Sequence, residues 1–495
     1  MAPITTERRL LWIVAAAAVL LWLAGCGGGK SAPQRHPLPD VLDVGTLYSP
    51  TSFFILRGDT LGYDYDRFSD FARTKGIRLR WHVAPNMATL IRWLRSDTVQ
   101  AAAYEIPVTA EYRKLVHSCG AENITYQVLI QRASDSVLTD VTQLVGRDVY
   151  VEHGSRYESR LRNLDNELGG GIRIHAIPPD TLMPEDLIDM VARGEIPLTV
   201  VDSDIAQMRR TRVDSIDISL QVSFGQRSSW AVSHHNTWLG DSIDAWAKSS
   251  GAQAYSKTAL RRYFEMSKSE QHALTDSDTV YITPPGAISP FDSLFRHYGE
   301  QSGIDWYLLV AIGYVESGFD PHAVSWAGAR GIMQLMPSTA RAYDLPLEKI
   351  EQPEANIYVS VRTLLDINAQ FKDSVENISE RSRFVLASYN AGAGHVLDAI
   401  ELARKYGKDP HVWNDNVEEC ILWKSNPQYY NDRVCRYGYF RGQETVEYVA
   451  KVEQQYFYYK NKYEEKHETK HKKKHHEKTK NHHRSGTGHG RAAAP

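Results

Sequence analysis

The feature that most constrains the fold is a polar stretch at residues 266–286, because the sequence pattern differs on its two sides. This stretch contains Ser, Asp, Thr and the pair Pro284-Pro285, so we predict an interdomain linker. In residues 41–265 short β-forming runs alternate with helical runs, as in an α/β domain with a largely parallel sheet. In residues 287–460 the pattern is almost wholly helical, and this part is long enough to have its own core.

The N-terminal residues 1–26 have the pattern of an export signal. Arg8 and Arg9 precede an apolar run from Leu10 to Leu23, which is too short for a comfortable membrane span. The sequence Leu-Ala-Gly that ends in Cys26 resembles the lipobox of bacterial lipoproteins, which implies cleavage before Cys26 and acylation of this cysteine. The alternative is an uncleaved anchor helix. Either way we expect a chain held at the periplasmic side of a bacterial membrane, and we favour the outer membrane over the inner one.

Two further segments have too few apolar residues for a core. Residues 27–40 are rich in Gly, Ser and Pro, and we predict a flexible tether. Residues 461–495 are rich in Lys, His and Glu, and we predict a disordered tail. Three roles stay open for this tail. Its histidines could bind a transition metal, or its positive charge could make a weak contact with an anionic wall polymer. The third alternative is a solvated segment without a specific role.

Composition and cysteine usage exclude some functions. A formal net charge of −3 argues against a nucleic-acid binder. No metal-binding motif occurs in the part expected to fold, so we predict no metal and no cofactor. In an oxidising compartment a disulfide between Cys420 and Cys435 is a hypothesis, and it would leave Cys119 free.

The chemistry centres on Glu316, which we predict to lie in the last turn of an apolar helix. Asp305 is suited to the N-cap, and Gly318 and Pro321 end the helix. One face at helical spacing is formed by Trp306, Leu309, Val310 and Gly313. Apolar neighbours and the helix C-terminus both disfavour a negative charge, so the pKa of Glu316 should rise, as a general acid requires. A solvated Glu on a surface turn is the alternative.

Three separated motifs resemble those of the soluble-type, lysozyme-like lytic transglycosylases. They are Glu316-Ser317-Gly318 with the loop through Gln334 to Pro337, Ser388-Tyr389-Asn390-Ala391-Gly392, and Glu444-Thr445 with Tyr448-Val449. The resemblance implies cleavage of peptidoglycan between N-acetylmuramic acid and N-acetylglucosamine. Glu316 would protonate the bridging oxygen and then act as base on the sugar's own C6 hydroxyl, which gives a 1,6-anhydro product without a second carboxylate.

The same resemblance implies a set of substrate-binding residues. Ser325 and Gln334 would hydrogen-bond the acetamido group, Tyr389 would orient Glu316, and Glu444 would lie near the peptide stem. The full set is Ser325, Gln334, Met336, Tyr389, Asn390, Glu444 and Tyr448. We expect Asp320 to form a turn, and a hydrolytic muramidase that uses Asp320 and water is the enzymatic alternative.

The α/β part resembles family 3 periplasmic solute-binding proteins. The resemblance rests on Val44-Gly45-Thr46, Gly62-Tyr63-Asp64-Tyr65-Asp66, Thr109-Ala110-Glu111-Tyr112-Arg113, Gly154-Ser155-Arg156-Tyr157 and Asp202. It implies two α/β lobes around a cleft, with Arg113 holding a ligand carboxylate and Asp202 an amine.

The chain departs from that family around Ala102-Tyr104-Glu105, where an Asp-Gly pair is usual. A scaffold that binds nothing is therefore one alternative for this domain. A solute sensor whose helical domain only grips peptidoglycan is an alternative for the whole chain. Together the two regions resemble the membrane-bound lytic transglycosylases, with glycan strands, a membrane, and an amino acid or muropeptide as expected partners.

Overall fold

The computed structural model describes residues 38–49, 51–133, 136–178, 184–211, 213, 215–265 and 281–462. The predicted export signal with Cys26 and most of the predicted tether, linker and tail lie outside these residues.

The α/β part begins with a lobe built on a five-stranded sheet. Its strands and a nearby hairpin are β1 (Val41–Leu47), β2 (Phe54–Leu56), β3 (Asp59–Leu61), β4 (Arg78–Ala84), β5 (Ala101–Pro107) and β6 (His117–Thr125). The sheet order is β4-β1-β5-β12-β6, where β12 (Gln226–Val232) comes from much later in the chain. Only β12 runs opposite to the other four strands.

A second lobe has a five-stranded sheet of the same kind. Its strands are β7 (Gln127–Arg132), β8 (Asp148–Glu152), β9 (Arg173–Ile177), β10 (Thr199–Asp202) and β11 (Ile216–Asp217). They follow the order β11-β7-β10-β8-β9, and only β7 is reversed. The chain enters this lobe between β6 and β7 and leaves it between β11 and β12, so two crossings join the lobes.

Helices cover these sheets because each has one apolar face. They are α1 (Tyr63–Lys75), α2 (Met87–Arg95), α3 (Arg156–Glu167), α4 (Pro184–Arg193), α5 (Ser203–Arg210), α6 (Thr237–Ala247) and α7 (Ser250–Leu260). In α2, for example, Leu90, Ile91 and Leu94 are buried at helical spacing while Arg92 and Arg95 face outward.

The rest of the described chain is mostly helical. Its helices are α8 (Asp292–Ser302), α9 (Trp306–Ser317), α10 (Pro337–Ala342), α11 (Pro353–Phe371), α12 (Ile378–Ala391), α13 (Ala393–Lys405), α14 (Glu418–Trp423), α15 (Pro427–Tyr430) and α16 (443–462). One apolar core joins them, with Phe295, Phe371, Phe384 and Trp413 among its buried side chains. The predicted fold class, a two-lobed α/β domain followed by a mostly α domain, is confirmed.

The hairpin β2–β3 stands apart from both sheets and reaches the helical domain. Its strands pair from Phe54–Leu61 to Leu56–Asp59, which leaves Arg57 and Gly58 as a two-residue turn. Both turn residues have positive φ, 52° and 83°, as a type I′ turn requires. The left-handed region costs a non-glycine residue about 1–2 kcal/mol, so the contacts of Arg57 must offset this strain.

Candidate active site

Glu316 is the penultimate residue of α9, at the end where the sequence predicts it. The Asp305 carboxylate caps the helix start by accepting from Tyr307 N at 3.1 Å. Gly318 ends the helix in the left-handed conformation, with φ 64°. The helix is buried along most of its length, so Glu316 emerges from the core with its side chain only 6% exposed.

The loop after α9 is fixed by Asn356, a buried residue of α11 that the sequence reasoning missed. Its Oδ1 accepts from Met333 N at 2.8 Å, and its Nδ2 donates to Arg330 O at 2.9 Å and to Ile350 O at 2.7 Å. Gly331 lies so close that a Cβ there would sit 2.5 Å from the Asn356 amide. The loop therefore has one well-defined shape against α11.

Two residues that carry the predicted acetamido contact belong to this loop. Ser325 Oγ accepts from Ala329 N at 3.0 Å. Gln334 is buried with φ 49°, and its Nε2 donates to Ala323 O and Gly331 O, both at 3.0 Å. The amide nitrogen of Gln334 is thus committed to the loop, which leaves its Oε1 to face a ligand.

The other predicted residues are also brought together. A cavity of about 870 Å³ is lined by Glu316, Ser325, Gln334, Met336, Asn390, Glu444 and Tyr448, among others. Tyr389 lies behind this wall, where its hydroxyl donates to Met333 O at 2.8 Å. Asn390 is tied to α16 because its Oδ1 accepts from Thr445 Oγ1 at 2.7 Å.

The surroundings of Glu316 have opposing effects on the pKa of its carboxyl group. Burial raises the pKa of Glu316, whereas Arg57 and the Tyr448 hydroxyl lower it, and the net pKa is above that of an ordinary glutamate. Tyr448 acts through proximity, since its buried hydroxyl has no hydrogen bond of standard geometry to another described residue. Asp320 instead accepts from His322 N at 2.9 Å within a turn.

Arg57 lies in the β2–β3 turn of the α/β domain, and its side chain extends into the site. Its Nη2 donates to both carboxylate oxygens of Glu316, at 3.1 and 3.2 Å. Its Nη1 donates to Gln334 O at 2.7 Å and its Nε to Asn390 O at 3.1 Å, so all three guanidinium nitrogens are used. The side chain is only 15% exposed. Arg57 therefore occupies the space in front of the carboxylate that a substrate would need.

Further backbone and side-chain contacts hold the hairpin in this position. Arg57 N donates to Ala391 O at 2.9 Å, and a Cβ on Gly392 would sit 3.0 Å from Arg57 Cα. His395 Nε2 donates to Ile55 O at 2.9 Å, and burial lowers the pKa of this imidazole well below its usual value. Ser338 Oγ donates to Asp59 Oδ2 at 2.6 Å. The motif Asn390-Ala391-Gly392 thus receives the hairpin as well as shaping the cavity.

The residues predicted to bind a ligand in the α/β domain have different surroundings. Asp202 is buried, and accepts from Arg156 and, at 3.2 Å, from the Tyr157 hydroxyl. Arg113 lies in a short 3₁₀ turn with its side chain exposed. Glu105 accepts from Asn123 and Ser228, and burial together with Asp64 raises its pKa to about 7. The ligand roles of Arg113 and Asp202 stay predictions.

The cysteine hypothesis also stays a prediction. Cys420 and Cys435 are free thiols in this structure, and Cys435 is close enough to Cys420 to act on it electrostatically. Cys119 is free and buried.

Sequence reasoning missed Arg57, although its signal is present. Apolar residues flank an Arg-Gly pair in Ile55-Leu56-Arg57-Gly58-Asp59, and a two-residue X-Gly turn between such runs indicates a hairpin. No local pattern predicts that the turn reaches Glu316.

The helical domain is similar to a known family, and most of the chain is similar to curated relatives. Residues 293–412 match the family model described as Transglycosylase SLT domain. The chain is 29% identical over 461 residues to "Membrane-bound lytic murein transglycosylase F" of Pseudomonas fluorescens (strain Pf0-1), covering 91% of this chain and 90% of that protein. The protein of the same name from Desulfosudis oleivorans is 28% identical over 462 residues, with 92% and 97% covered. The predicted resemblance to lytic transglycosylases is confirmed.

Solved structures align with part of the chain. An ancestral arginine-binding protein bound to arginine covers 46% of this chain and 100% of its own, at 18% identity and a TM-score of 0.37. An ancestral cationic amino acid solute binding protein covers 46% and 96%, at 17% identity and a TM-score of 0.40. Within the described residues, no helix combines the length and apolar character needed to span a bilayer.

Proposed function

We propose that this protein is a lytic transglycosylase that cleaves the β-1,4 bond between N-acetylmuramic acid and N-acetylglucosamine in peptidoglycan. The observation that carries the proposal is Glu316, a buried carboxyl with a raised pKa at the wall of an 870 Å³ cavity. Such a group is protonated more readily than an ordinary glutamate and can donate its proton to the bridging oxygen.

The reaction then needs no second carboxylate. Once Glu316 has given up its proton it accepts the proton of the muramic C6 hydroxyl, and this oxygen closes the 1,6-anhydro ring. The other carboxylates of the cavity wall face basic groups: Asp189 faces Arg209 and Arg441, Glu444 faces Arg209, and Glu447 faces Lys451. Most glycosidases pair two carboxyl groups across the bond, and here the substrate's own hydroxyl takes the place of activated water.

The loop from Ala323 to Met336 would bind the sugar. Gln334 Oε1 would accept from the acetamido N–H, because the amide nitrogen is already engaged. Ser325 would contact the same group, Met336 would pack on the ring, and Asn390 would shape the subsite next to Tyr389. Tyr448 would hold the charged form of Glu316 after proton transfer, since its hydroxyl stabilises that form.

Mass spectrometry of the fragments released from purified sacculi tests the reaction class. We expect muropeptides that are lighter by one water than hydrolysis products. Fragments of full hydrolytic mass would favour the muramidase alternative, and release of no fragments would favour a peptidoglycan-binding sensor. Adding a muramidase of known activity to a parallel sample checks that the sacculi are cleavable.

The α/β domain would control this activity. With Arg57 bonded to Glu316, Gln334 and Asn390 the glycan has no access to the acid, so the β2–β3 hairpin must withdraw before cleavage. A small ligand, amino acid or muropeptide between the lobes would supply the trigger, with Arg113 and Asp202 as proposed contacts. Calorimetric titration of the whole protein with amino acids and muropeptides tests this, and absence of heat with every ligand would favour the scaffold reading.

The enzyme would be held where its substrate is. Acylation of Cys26 would anchor it in a membrane on the periplasmic side, and we propose the outer membrane. Metabolic labelling with an alkyne fatty acid should mark the wild type and leave Cys26→Ala unlabelled. Equal labelling of both would refute the anchor.

A further inference from the structure

A charged cluster joins the second lobe to the cavity wall at a distance from Arg57. Asp189 of α4 accepts from Arg209 Nε of α5 at 2.6 Å, and also from Arg441 Nη2 of the helical domain. Arg209 Nη1 lies 3.6 Å from Glu444 Oε1. The side chains of Asp189, Arg209 and Arg441 are 8%, 10% and 12% exposed, so this cluster is largely removed from water.

Arg209 and Arg441 both pair with Asp189, but only Arg209 lies in the same lobe. Asp189 and Arg209 belong to the same lobe, and their ion pair survives if the lobe moves away. Arg441 belongs to the other domain and has Glu444 and Glu185 as further charged neighbours, but its Nε and Nη1 are buried without a hydrogen bond to any described residue. Buried guanidinium N–H groups without partners are costly, and such exceptions call for an explanation.

The position of Arg441 suggests the explanation. It lies two residues before α16, the helix that carries Glu444 and Tyr448, and all three residues line the same cavity as Glu316. A planar guanidinium with open donors is the protein group best suited to a carboxylate. The glycan backbone is uncharged apart from its peptide stems, which end in free carboxylates and branch from the muramic residue that is cleaved.

We propose that Arg441 is a substrate-binding residue that holds a carboxylate of the peptide stem, and that Asp189 occupies the place of this carboxylate in the present structure. The inference rests on the proposed function and adds a preference for acidic, peptide-bearing glycan. Opening of the lobe would remove Asp189 together with its own partner Arg209, which leaves Arg441 to the substrate.

Two variants separate this role from a merely structural one. Arg441→Gln and Asp189→Asn both break the ion pair between the domains, but only Arg441→Gln removes the proposed carboxylate contact. The substrates are untreated sacculi and sacculi whose carboxylates have been converted to amides with carbodiimide and ammonia. The readout is KM and kcat for release of soluble fragments. Arg404→Gln, which removes an exposed cation paired with Glu401, is the matched control.

We expect the wild type, D189N and R404Q to show a KM about tenfold lower on untreated than on amidated sacculi, as a charged hydrogen bond predicts. R441Q should lose this preference, with kcat less affected than KM. If R441Q does not fold, as judged by its thermal melt, Arg441→Lys keeps the charge without the planar fork and should retain only part of the preference.

Equal preference in R441Q and D189N would overturn the proposal, as would a wild type that cleaves both substrates with the same KM. In either case cleavage itself persists, so the proposed function would stand. A wild type that cleaves neither substrate would instead count against the proposed function.

Discussion

Asp202 and Glu316 are buried carboxylates that each pair with an arginine, but the two arginines come from different parts of the chain. Asp202 pairs with Arg156, only 46 residues earlier and within the same lobe. Glu316 pairs with Arg57, which is 259 residues away and belongs to another domain. The Arg156 side chain is 53% exposed, whereas that of Arg57 is 15% exposed.

The origin of the partner decides what each pair can do. Arg156 is the first residue of α3, which covers the sheet whose strand β10 ends at Asp202. The Arg156–Asp202 pair therefore moves with the second lobe and contributes to the fold of that lobe. Arg57 sits in a positive-φ turn that is outside both sheets and bonded to the helical domain. We propose that withdrawal of the hairpin would break the Glu316 pair without unfolding either domain, so that this pair acts as a lock.

The largest effect is expected when the acid itself is removed. Glu316→Gln should lower the rate of fragment release about 100- to 10,000-fold, the usual range for a general acid–base group. The protein should stay folded with a lower thermal melt, because the amide oxygen still accepts from Arg57 but no longer balances its charge. A glutamine variant with more than a tenth of the wild-type rate would place the acid elsewhere.

Removing the lock should have the opposite sign. Arg57→Gln loses two charge-assisted hydrogen bonds to Glu316, and we expect fragment release to rise by about tenfold. R404Q is again the control for loss of a positive charge, and it should behave as the wild type. Unchanged or reduced activity in R57Q would mean that the hairpin does not limit access to the cavity.

The lock should also depend on pH, with a smaller amplitude. Arg57 lowers the pKa of Glu316, so the ion pair is present above the closed-state pKa and is lost as the pH falls through it. The activity ratio of R57Q to wild type should therefore be largest at high pH and decrease a few-fold toward acid. Rates of both proteins measured in one buffer series give this ratio, and a pH-independent ratio would argue against an ionic lock.

The smallest effect concerns the pair that stays within one lobe. Arg156→Gln should lower the free energy of unfolding by about 1 kcal/mol, because the pair is half exposed and the Tyr157 hydroxyl still satisfies Asp202. Denaturant unfolding of the full chain measures this change. A decrease in the free energy of unfolding of more than about 3 kcal/mol is typical of a broken buried ion pair. Such a decrease would show that the Arg156 pair behaves as a buried pair, like that of Arg57, despite its greater exposure.

The elements and the position of the proposed acid Glu316 could be predicted from the sequence because their signals are local. The helix α11, for example, begins at Pro353, a residue favoured in the first helical turn, and its buried residues recur at helical spacing. Glu316 was predicted from a helix that ends at Gly318. Ser325, Gln334 and Asn390 came from motif resemblance, and they line one cavity.

The lock and the charged cluster could not be predicted because both depend on contacts between domains. Arg57 and Glu316 approach each other only after the domains have docked, and neither residue's neighbours in sequence indicate the other. Asp189 and Arg441 are 252 residues apart for the same reason. In the sequence, Asn356 is one more residue of a predicted helix. Its three hydrogen bonds could not be predicted because they depend on the folded loop.

The double variant Arg57→Gln/Glu316→Gln tests most directly whether catalysis and its control act on one carboxyl group. Fragments released from sacculi by R57Q and by the double variant are quantified and weighed by mass spectrometry. We predict that R57Q releases more anhydro fragments than the wild type, and that the double variant releases as few as E316Q alone. Substantial release by the double variant, or products of full hydrolytic mass from R57Q, would contradict the account.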